Sequence, residues 1–221
     1  EDANMSKLEE AVTNFSGVIT QTPPMYSALK VKGKKLYEYA REGKEVDVKS
    51  RKIFVERAEI ISFDGSEFEF EIACSKGTYI RSICADIGKA LGCGAAMSSL
   101  IRMRSGCFEL SDSVDIEKLQ VMTSEDIESL LLPIDMPLPH LGRAEVSDWE
   151  KHLFINGVEL RKNQWLELEK PRFANEEFPL PIRKEFTQLY RVYDRAGDFL
   201  GTAIENKGLI KADKVFYNAN I

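Results

Sequence analysis

The sequence predicts an α+β fold with a small β-rich module near its C-terminal end. Two strand-like runs, RKIFVERAEIISF and EFEFEIAC, precede YIRSICADIGKALG, whose apolar residues repeat with helical spacing. Further along, LYRVYDRAGDFLGTA alternates apolar and polar residues around an RAGD turn, the pattern of a β-hairpin. The segment MPLPH, residues 136–140, contains two prolines and marks the predicted boundary between the two parts.

The first elements are a helix, a loop and two strands. MSKLEEAVTNFS, residues 5–16, has the apolar spacing of a short amphipathic helix. Paired prolines then interrupt regular structure, and KKLYEYAREG, residues 34–43, indicates a helix of one to two turns that ends at its glycine. RKIFVERAEIISF and EFEFEIAC follow as strands joined by a DGS turn, because apolar and polar residues alternate in them.

The junction between the second strand and the next helix breaks a local rule. Ile83, Cys84 and Ile87 place one apolar stripe on the helix, and Thr78 stands where an N-cap is expected. Arg81 then falls in the first turn, where the helix dipole disfavours a cation. Local rules broken at such a junction often indicate a functional site.

The elements after this helix are less regular. GAAMSSLIRMRSGCFEL predicts a strand that carries Ser99, Ile101 and Met103 on one face. Residues 111–136 are acidic and helical in pattern, and KPRFANEEFPLPIRKE in the last part reads as a long loop. The β-hairpin of the C-terminal module is followed by an extended tail.

Charge is distributed unevenly along the 221 residues, although the net charge is −6. Residues 30–57 contain ten cations and five acids, and residues 75–105 contain five cations and one acid. Screening limits a charge's reach to about 8 Å, so these segments can bind a polyanion despite the acidic total. The alternative is that each segment is simply a solvated face.

Two other classes of protein are disfavoured by composition. No apolar run approaches the roughly 18 residues that a membrane-spanning helix needs. The four cysteines show no C-x-x-C spacing and only two histidines accompany them, so we expect buried free thiols in a reducing cytoplasm and no metal site.

Three segments carry a family resemblance. PPMYSALKVKGKKLYEYAREG, CSKGTYIRSICADIGKALGCGA and SLIRMRSGCFEL resemble, in that order and spacing, the later part of the bacterial TruB family of tRNA pseudouridine synthases. ING followed by LYRVYDRAGDFLGTA resembles, more loosely, that family's PUA-like C-terminal domain. The resemblance implies that residues 1–136 are the later part of the catalytic domain, with an RNA-binding thumb loop at about 22–51. Residues 140–221 correspond to the PUA-like RNA-binding domain.

The resemblance implies a reaction and a substrate. The family isomerises one uridine in the T-loop of tRNA, at tRNA position 55, to pseudouridine, and uses neither a metal nor an organic cofactor. The glycosidic bond is broken, the base turns, and a C–C bond forms to the same ribose. The target base lies inside a folded loop, so it must be flipped into a pocket. The implied partner is the T-stem-loop of tRNA, and the implied location is the cytoplasm, without a membrane.

One family feature is missing from the sequence. The catalytic aspartate of the family lies in a GTLDP-like motif before the PPMYSALK segment, and no such motif occurs here. We therefore expect a chain that is inactive alone, with a companion N-terminal fragment or intermolecular pairing to cover its exposed sheet edge. The alternatives are a non-catalytic RNA-binding module and an α+β interaction protein.

The resemblance also implies the site residues. Arg81 is expected to face the missing aspartate, and Tyr79 and Leu100 are expected to line the uridine pocket. Each has a plainer alternative: a solvated arginine, a core tyrosine and an ordinary core leucine. The expected phosphate contacts in the thumb loop and before the helix are Lys30, Lys32, Lys34, Lys35, Arg41 and Lys76. For Lys76, simple exposure is equally open.

Overall fold

The computed structural model describes residues 4–174 and 187–216, and the chain divides into two compact units, Glu1–Leu100 and Ile101–Ile221. The helices of the first unit are α1 (Met5–Thr13), α2 (Leu36–Arg41) and α3 (Ile80–Leu91). Its strands are β1 (Gly17–Gln21), β2 (Lys30–Val31), β3 (Lys34–Lys35), β4 (Arg51–Phe63) and β5 (Phe68–Cys74). The α+β prediction is confirmed, and the predicted helices and strands of this unit lie within two or three residues of their observed bounds.

The first unit is built on a three-stranded antiparallel sheet in the order β1-β4-β5. Its apolar face is covered by α1 and α3, and the side chains between them are fully or almost fully buried. This core consists of Leu8, Ala11, Val12, Ile53, Val55, Ile83 and Ile87. The predicted stripe of α3 therefore faces the sheet, and it fixes the start of α3 beside the ends of β1 and β4.

The start of α3 differs from the sequence prediction. The helix begins at Ile80, and Tyr79 occupies the N-cap position in an extended conformation without a side-chain capping bond. Thr78 was wrongly predicted as the N-cap: its Oγ1 donates instead to the carbonyl of Ser75, 2.8 Å away. This bond closes the turn after β5, and the helix begins one residue later than predicted.

The described part of the second unit contains a five-stranded sheet and three short α-helices. Its helices and short strands are β6 (Arg104–Ser105), β7 (Phe108–Glu109), α4 (Ile116–Leu119), α5 (Ser124–Ser129) and α6 (Asp148–Ile155), with 3-10 turns at Leu110–Asp112 and Arg172–Ala174. The sheet strands are β8 (Gly142–Val146), β9 (Leu166–Glu169), β10 (Leu189–Asp194), β11 (Phe199–Asn206) and β12 (Leu209–Val215), in the order β12-β11-β10-β8-β9. Only β8 and β10 run parallel among these described strands. Phe154, Leu160, Leu200 and Ile210 form the centre of its core.

The predicted hairpin and the β-rich C-terminal part are confirmed by β10, β11 and β12. The predicted strand through Ser99, Ile101 and Met103 is wrong: these residues are irregular and exposed, and only the two-residue ladder of β6 and β7 forms after them. A strand requires a partner ladder, which an alternating pattern alone does not supply. Most of the predicted loop KPRFANEEFPLPIRKE lies outside the described residues.

The cysteines only partly follow the prediction of buried thiols. Cys84 lies on the buried side of α3, and burial raises the pKa of its thiol. Cys74, Cys93 and Cys107 are exposed, because they lie at a strand end and in turns where no core is available. No helix in the described part of the chain is long and apolar enough to cross a membrane.

The compact units divide after Leu100, and this division follows the packing of the chain and not the family domains. The predicted domains 1–136 and 140–221 therefore stay a prediction. Large apolar side chains are exposed along residues 100–136, among them Leu100, Ile101, Met103, Ile116, Val121, Leu131, Leu132 and Ile134. The observed sheet of the first unit has β1 and β5 as its edges.

Candidate functional site

Tyr79 is held through its backbone by a single buried side chain. Gln21, at the end of β1, is 3% exposed. Its Nε2 donates to the Tyr79 carbonyl at 3.0 Å, and its Oε1 accepts from the Tyr79 N–H at 2.8 Å. The Tyr79 carbonyl also accepts from the N–H groups of Ser82 and Ile83 in the first turn of α3. The ring of the half-buried Tyr79 therefore projects from a backbone whose N–H and carbonyl groups are both hydrogen-bonded.

Arg51 lies against the same ring. It begins β4 and pairs across the sheet with Gln21, so the two side chains share one face. The guanidinium carbon of Arg51 is 5.0 Å from the centroid of the Tyr79 ring, and Nη2 donates to the Gly77 carbonyl. Gly77 has φ +83°, and a Cβ at this position would lie 3.3 Å from Nη1 of Arg51. A glycine is required here both for the turn and for the approach of the guanidinium.

Arg81 reaches away from its own helix. Its Nη1 donates to the carbonyl of Tyr26 at 3.1 Å, which ties α3 to the PPMYS segment. The side chain is exposed, and among the described residues it makes this one hydrogen bond. The remaining guanidinium N–H groups are available to an anion from outside the unit.

The other two predicted positions around the pocket are solvent-exposed. Leu100 is 57% exposed, so the described residues do not bury it as ordinary core. Lys76 is exposed in the turn before α3, two residues from Thr78. The structure brings Arg81 to the PPMYS segment and Tyr79 to Gln21 and Arg51.

The predicted thumb loop contains a small folded unit. Strands β2 and β3, of two residues each, form a hairpin. Its turn residues, Lys32 and Gly33, both have positive φ. Helix α2 follows immediately, and the Tyr39 hydroxyl donates to the Val31 carbonyl at 3.2 Å to hold helix and hairpin together. Lys30 and Lys32 are exposed at the hairpin.

The other cations of this loop have partners within it. Lys34 forms an ion pair with Glu42 and lies 4.9 Å from the centroid of the Tyr39 ring. Lys35 and Arg41 both approach the Tyr37 ring, at 5.4 Å and 5.3 Å from its centroid. Ion pairing lowers the charge that Lys34 can offer to a phosphate, whereas cation–π contacts leave the charges of Lys35 and Arg41 intact.

An open groove of about 670 Å³ runs between this hairpin and the segment after α2. Its lining is Leu29, Lys30, Val31, Lys32, Glu45, Val46, Asp47, Val48 and Lys49. The lining combines apolar side chains with three cations and two acids. The two acids oppose the binding of a phosphate inside the groove.

Sequence reasoning missed Gln21 and Arg51. A lone glutamine that ends a strand and an arginine that begins one carry no local signal. Their pairing across β1 and β4 becomes visible only with the sheet register. In the described part of the chain, no cluster of three or more His, Cys, Asp or Glu residues is arranged to hold a metal ion.

Comparison with known proteins decides the family. Residues 1–80 match the model of the TruB family pseudouridylate synthase N-terminal domain, and residues 81–139 match that of the tRNA pseudouridylate synthase B C-terminal domain. A tRNA pseudouridine synthase B from Clostridium novyi is 37% identical over 214 residues, which cover 97% of this chain and 68% of that protein. The chain belongs to the TruB family of tRNA pseudouridine synthases.

Other TruB relatives show that this chain spans only part of their length. The tRNA pseudouridine synthase B of Alkaliphilus oremlandii is 41% identical over 181 residues, which cover 81% of this chain and 59% of that protein. The enzyme of Chromobacterium violaceum is 44% identical over 158 residues, with 52% of its length covered. The chain thus spans about half to two thirds of these curated relatives.

Solved structures confirm the fold. The chain superposes on a chain of a Cbf5-Nop10-Gar1 complex with a TM-score of 0.71 at 22% identity, covering 98% of this chain and 63% of the other. An H/ACA RNP bound to a substrate RNA containing 2'-deoxyuridine gives a TM-score of 0.69 at 19% identity, covering all of this chain and 63% of the other. At these identities the similarity establishes the fold alone.

Proposed function

We propose that this chain forms part of an enzyme that isomerises uridine to pseudouridine at position 55 in the T-loop of tRNA. Membership of the TruB family supports the reaction and the tRNA substrate. The single observation that carries the site assignment is the arrangement at the start of α3. There, Tyr79, whose backbone is held by Gln21, stands two residues from Arg81, whose side chain reaches the Tyr26 carbonyl of the PPMYS segment.

The reaction conserves all atoms and needs no redox partner. The bond between N1 of uracil and C1′ of the ribose breaks, and the base rotates. A bond between C5 and C1′ then forms. The proton on C5 is lost, and N1 gains a proton. We propose that the protein supplies the carboxylate that the family resemblance implies, a surface that holds the rotating base, and contacts that keep the flipped nucleotide out of its stack.

Arg81 is proposed to orient and ionise that carboxylate. An opposite charge within about 4–6 Å lowers a carboxyl pKa by about 1–3 units, and a nucleophilic carboxylate must be deprotonated. Its bond to the Tyr26 carbonyl uses Nη1 and leaves donors for a bidentate contact. The carboxylate itself is proposed to come from polypeptide outside these 221 residues, because the sequence contains no GTLDP-like motif.

Tyr79 and Leu100 are proposed to line the uridine pocket. Stacking of a base on an aromatic ring contributes about 1–3 kcal/mol. Tyr79 has the fixed backbone that such a platform needs. An apolar side chain as exposed as Leu100 gains from being covered by a base or by further polypeptide.

The T-stem-loop is proposed to bind along the thumb loop, residues 22–51. The six cations proposed as phosphate contacts are Lys30, Lys32, Lys34, Lys35, Arg41 and Lys76. Phosphate contacts position an RNA without reading its sequence, so they act with the uridine pocket and do not replace it. Lys34 is expected to contribute least, because Glu42 already neutralises it.

A companion N-terminal fragment is proposed to cover the apolar surface of residues 100–136 and an edge of the β1-β4-β5 sheet. The exposed side chains there and the shorter span of the chain relative to its relatives both support this. Pairing between two copies of this chain is the alternative way to cover the same surface.

The test is release of tritium from tRNA labelled at C5 of uridine, since the C5 hydrogen is lost only when the new C–C bond forms. The chain alone should release none. The chain combined with the upstream segment of the Clostridium novyi relative should release one tritium for each target uridine. Turnover by the chain alone would show that the carboxylate lies within these residues. If the combination binds the tRNA without turnover, the non-catalytic RNA-binding module becomes the better description.

A further inference from the structure

We propose that Gln21 and Arg51 are positioning residues that together hold the Tyr79 ring in place for the target base. This inference rests on the proposed function, and it assigns a role to two residues outside the family segments that identified the site. Neither residue needs to touch RNA for the proposal to hold.

The first part of the argument is the geometry of Gln21. Its amide satisfies both the N–H and the carbonyl of Tyr79, at 2.8 Å and 3.0 Å, as a neighbouring strand would. Since the amide is buried on the edge strand β1, Tyr79 is attached to the sheet although it belongs to the loop before α3. The backbone of the base platform is thereby fixed relative to the core.

The second part is the contact of Arg51 with the ring itself. Its guanidinium lies 5.0 Å from the ring centroid, and its bond to the Gly77 carbonyl holds it there. The Nε of Arg51 is buried and has no hydrogen-bond partner among the described residues. The Arg51 guanidinium packs against the Tyr79 ring although its Nε is left without a partner among the described residues. It is therefore directed at the protein and not at the phosphates of a bound RNA. Arg51 therefore limits the rotation of the ring that the backbone clamp leaves free.

Gln21 and Arg51 act together on Tyr79 because they are cross-strand partners. Gln21 ends β1 directly opposite Arg51, which begins β4. One sheet register thus sets the backbone and the ring of Tyr79 together. A side chain that packing and hydrogen bonds hold in place can position a base accurately enough for catalysis. A displacement of about 1 Å lowers the reaction rate strongly.

The experiment measures the affinity of the chain for two T-stem-loop RNA hairpins, one with uridine at the target position and one with an abasic nucleotide there. The ratio of the two affinities isolates the contribution of the base. The variants are Gln21→Met and Arg51→Lys, each alone and combined with Tyr79→Ala. Matched controls are Gln120→Met on the exposed end of α4 and Arg57→Lys on the same strand as Arg51.

Loss of the clamp should lower the affinity ratio roughly tenfold in Gln21→Met, a large part of the stacking contribution of a base. Arg51→Lys should lower it about threefold, because lysine keeps the charge but lacks the planar guanidinium that packs against the Tyr79 ring while donating to the Gly77 carbonyl. Neither change should have a further effect when Tyr79→Ala is present. The salt dependence of binding should also stay unchanged, because no phosphate contact is removed. The control variants should retain the wild-type ratio.

Two results would overturn the inference. An effect of Arg51→Lys that persists with Tyr79→Ala would identify Arg51 as a direct RNA contact. A lower unfolding temperature with an unchanged affinity ratio would show that both residues are merely structural. If Tyr79→Ala itself leaves the ratio unchanged, the proposed pocket is wrong and the inference falls with it; if only the Gln21 and Arg51 variants leave it unchanged, the proposed function stands without them.

Discussion

Replacement of Gly77 by alanine tests the packing around the candidate pocket. The residue has φ +83°, a conformation that costs an L-amino acid about 1–2 kcal/mol. The new Cβ would lie 3.3–3.4 Å from three atoms of the Arg51 guanidinium. If Arg51 moves, its hydrogen bond to the Gly77 carbonyl and its contact with Tyr79 are lost, which adds about 1–2 kcal/mol. Gly77→Ala should therefore lower the free energy of unfolding by about 2–4 kcal/mol.

Gly92→Ala is the matched control, because Gly92 has φ +77° at the other end of α3 and open space where its Cβ would be. It should cost only the conformational part, about 1–2 kcal/mol. Both variants are measured by urea unfolding followed by circular dichroism, with the uridine-to-abasic affinity ratio as a second readout. Equal losses of unfolding free energy in the two variants, with an unchanged affinity ratio in Gly77→Ala, would refute the contact between Arg51 and the Tyr79 ring.

Three further predictions concern the thumb loop, α3 and the C-terminal sheet. Lys32→Ala should reduce the salt slope of T-stem-loop binding by about 1, and the ion-paired Lys34→Ala should change it less; equal slopes would contradict the assignment. Gly88→Ala should destabilise the protein by about 3 kcal/mol or more in urea unfolding, because its Cβ would meet backbone atoms at 2.0 Å and 2.3 Å; a neutral result would refute this packing. Burial raises the pKa of Asp194, but bonds from Lys151 and two backbone N–H groups outweigh it, so its pKa lies below the usual value. Stability should therefore be present above pH of about 4 and fall as pH drops through the folded pKa, and Asp194→Asn should cost about 3 kcal/mol at neutral pH and remove that part of the acid dependence.

The sequence predicted those elements whose pattern is local and strong. The alternation in β4 and β5 predicted two of the three strands of the first sheet, and the apolar stripe of α3 predicted one of its two covering helices. Strand β1 was not predicted. The RAGD turn predicted the hairpin of β10 and β11. These elements succeed because each buries one face, which imposes a period on the sequence. The family segments, in turn, drew attention to Tyr79 and Arg81.

The remaining features depend on contacts distant in sequence. The clamp joins Gln21 to Tyr79 across 58 positions, and the ring contact joins Arg51 to Tyr79 across 28, so no short pattern contains them. The predicted strand around Ile101 failed for a related reason: its alternation had no partner ladder among the described residues. Thr78 failed as an N-cap because it lies in the turn after β5 and the helix begins one residue later than predicted, with Tyr79 at the N-cap position.

The central claim is that the target uridine binds against the start of α3. It is tested most directly by photocrosslinking a T-stem-loop RNA that carries 4-thiouridine at the target position, followed by trypsin digestion and mass spectrometry. Cleavage after Lys76 and Arg81 releases residues 77–81, GTYIR, as one peptide. The account predicts the nucleotide adduct on this peptide, at Tyr79. An adduct confined to the C-terminal unit, with peptide 77–81 unmodified, would contradict it.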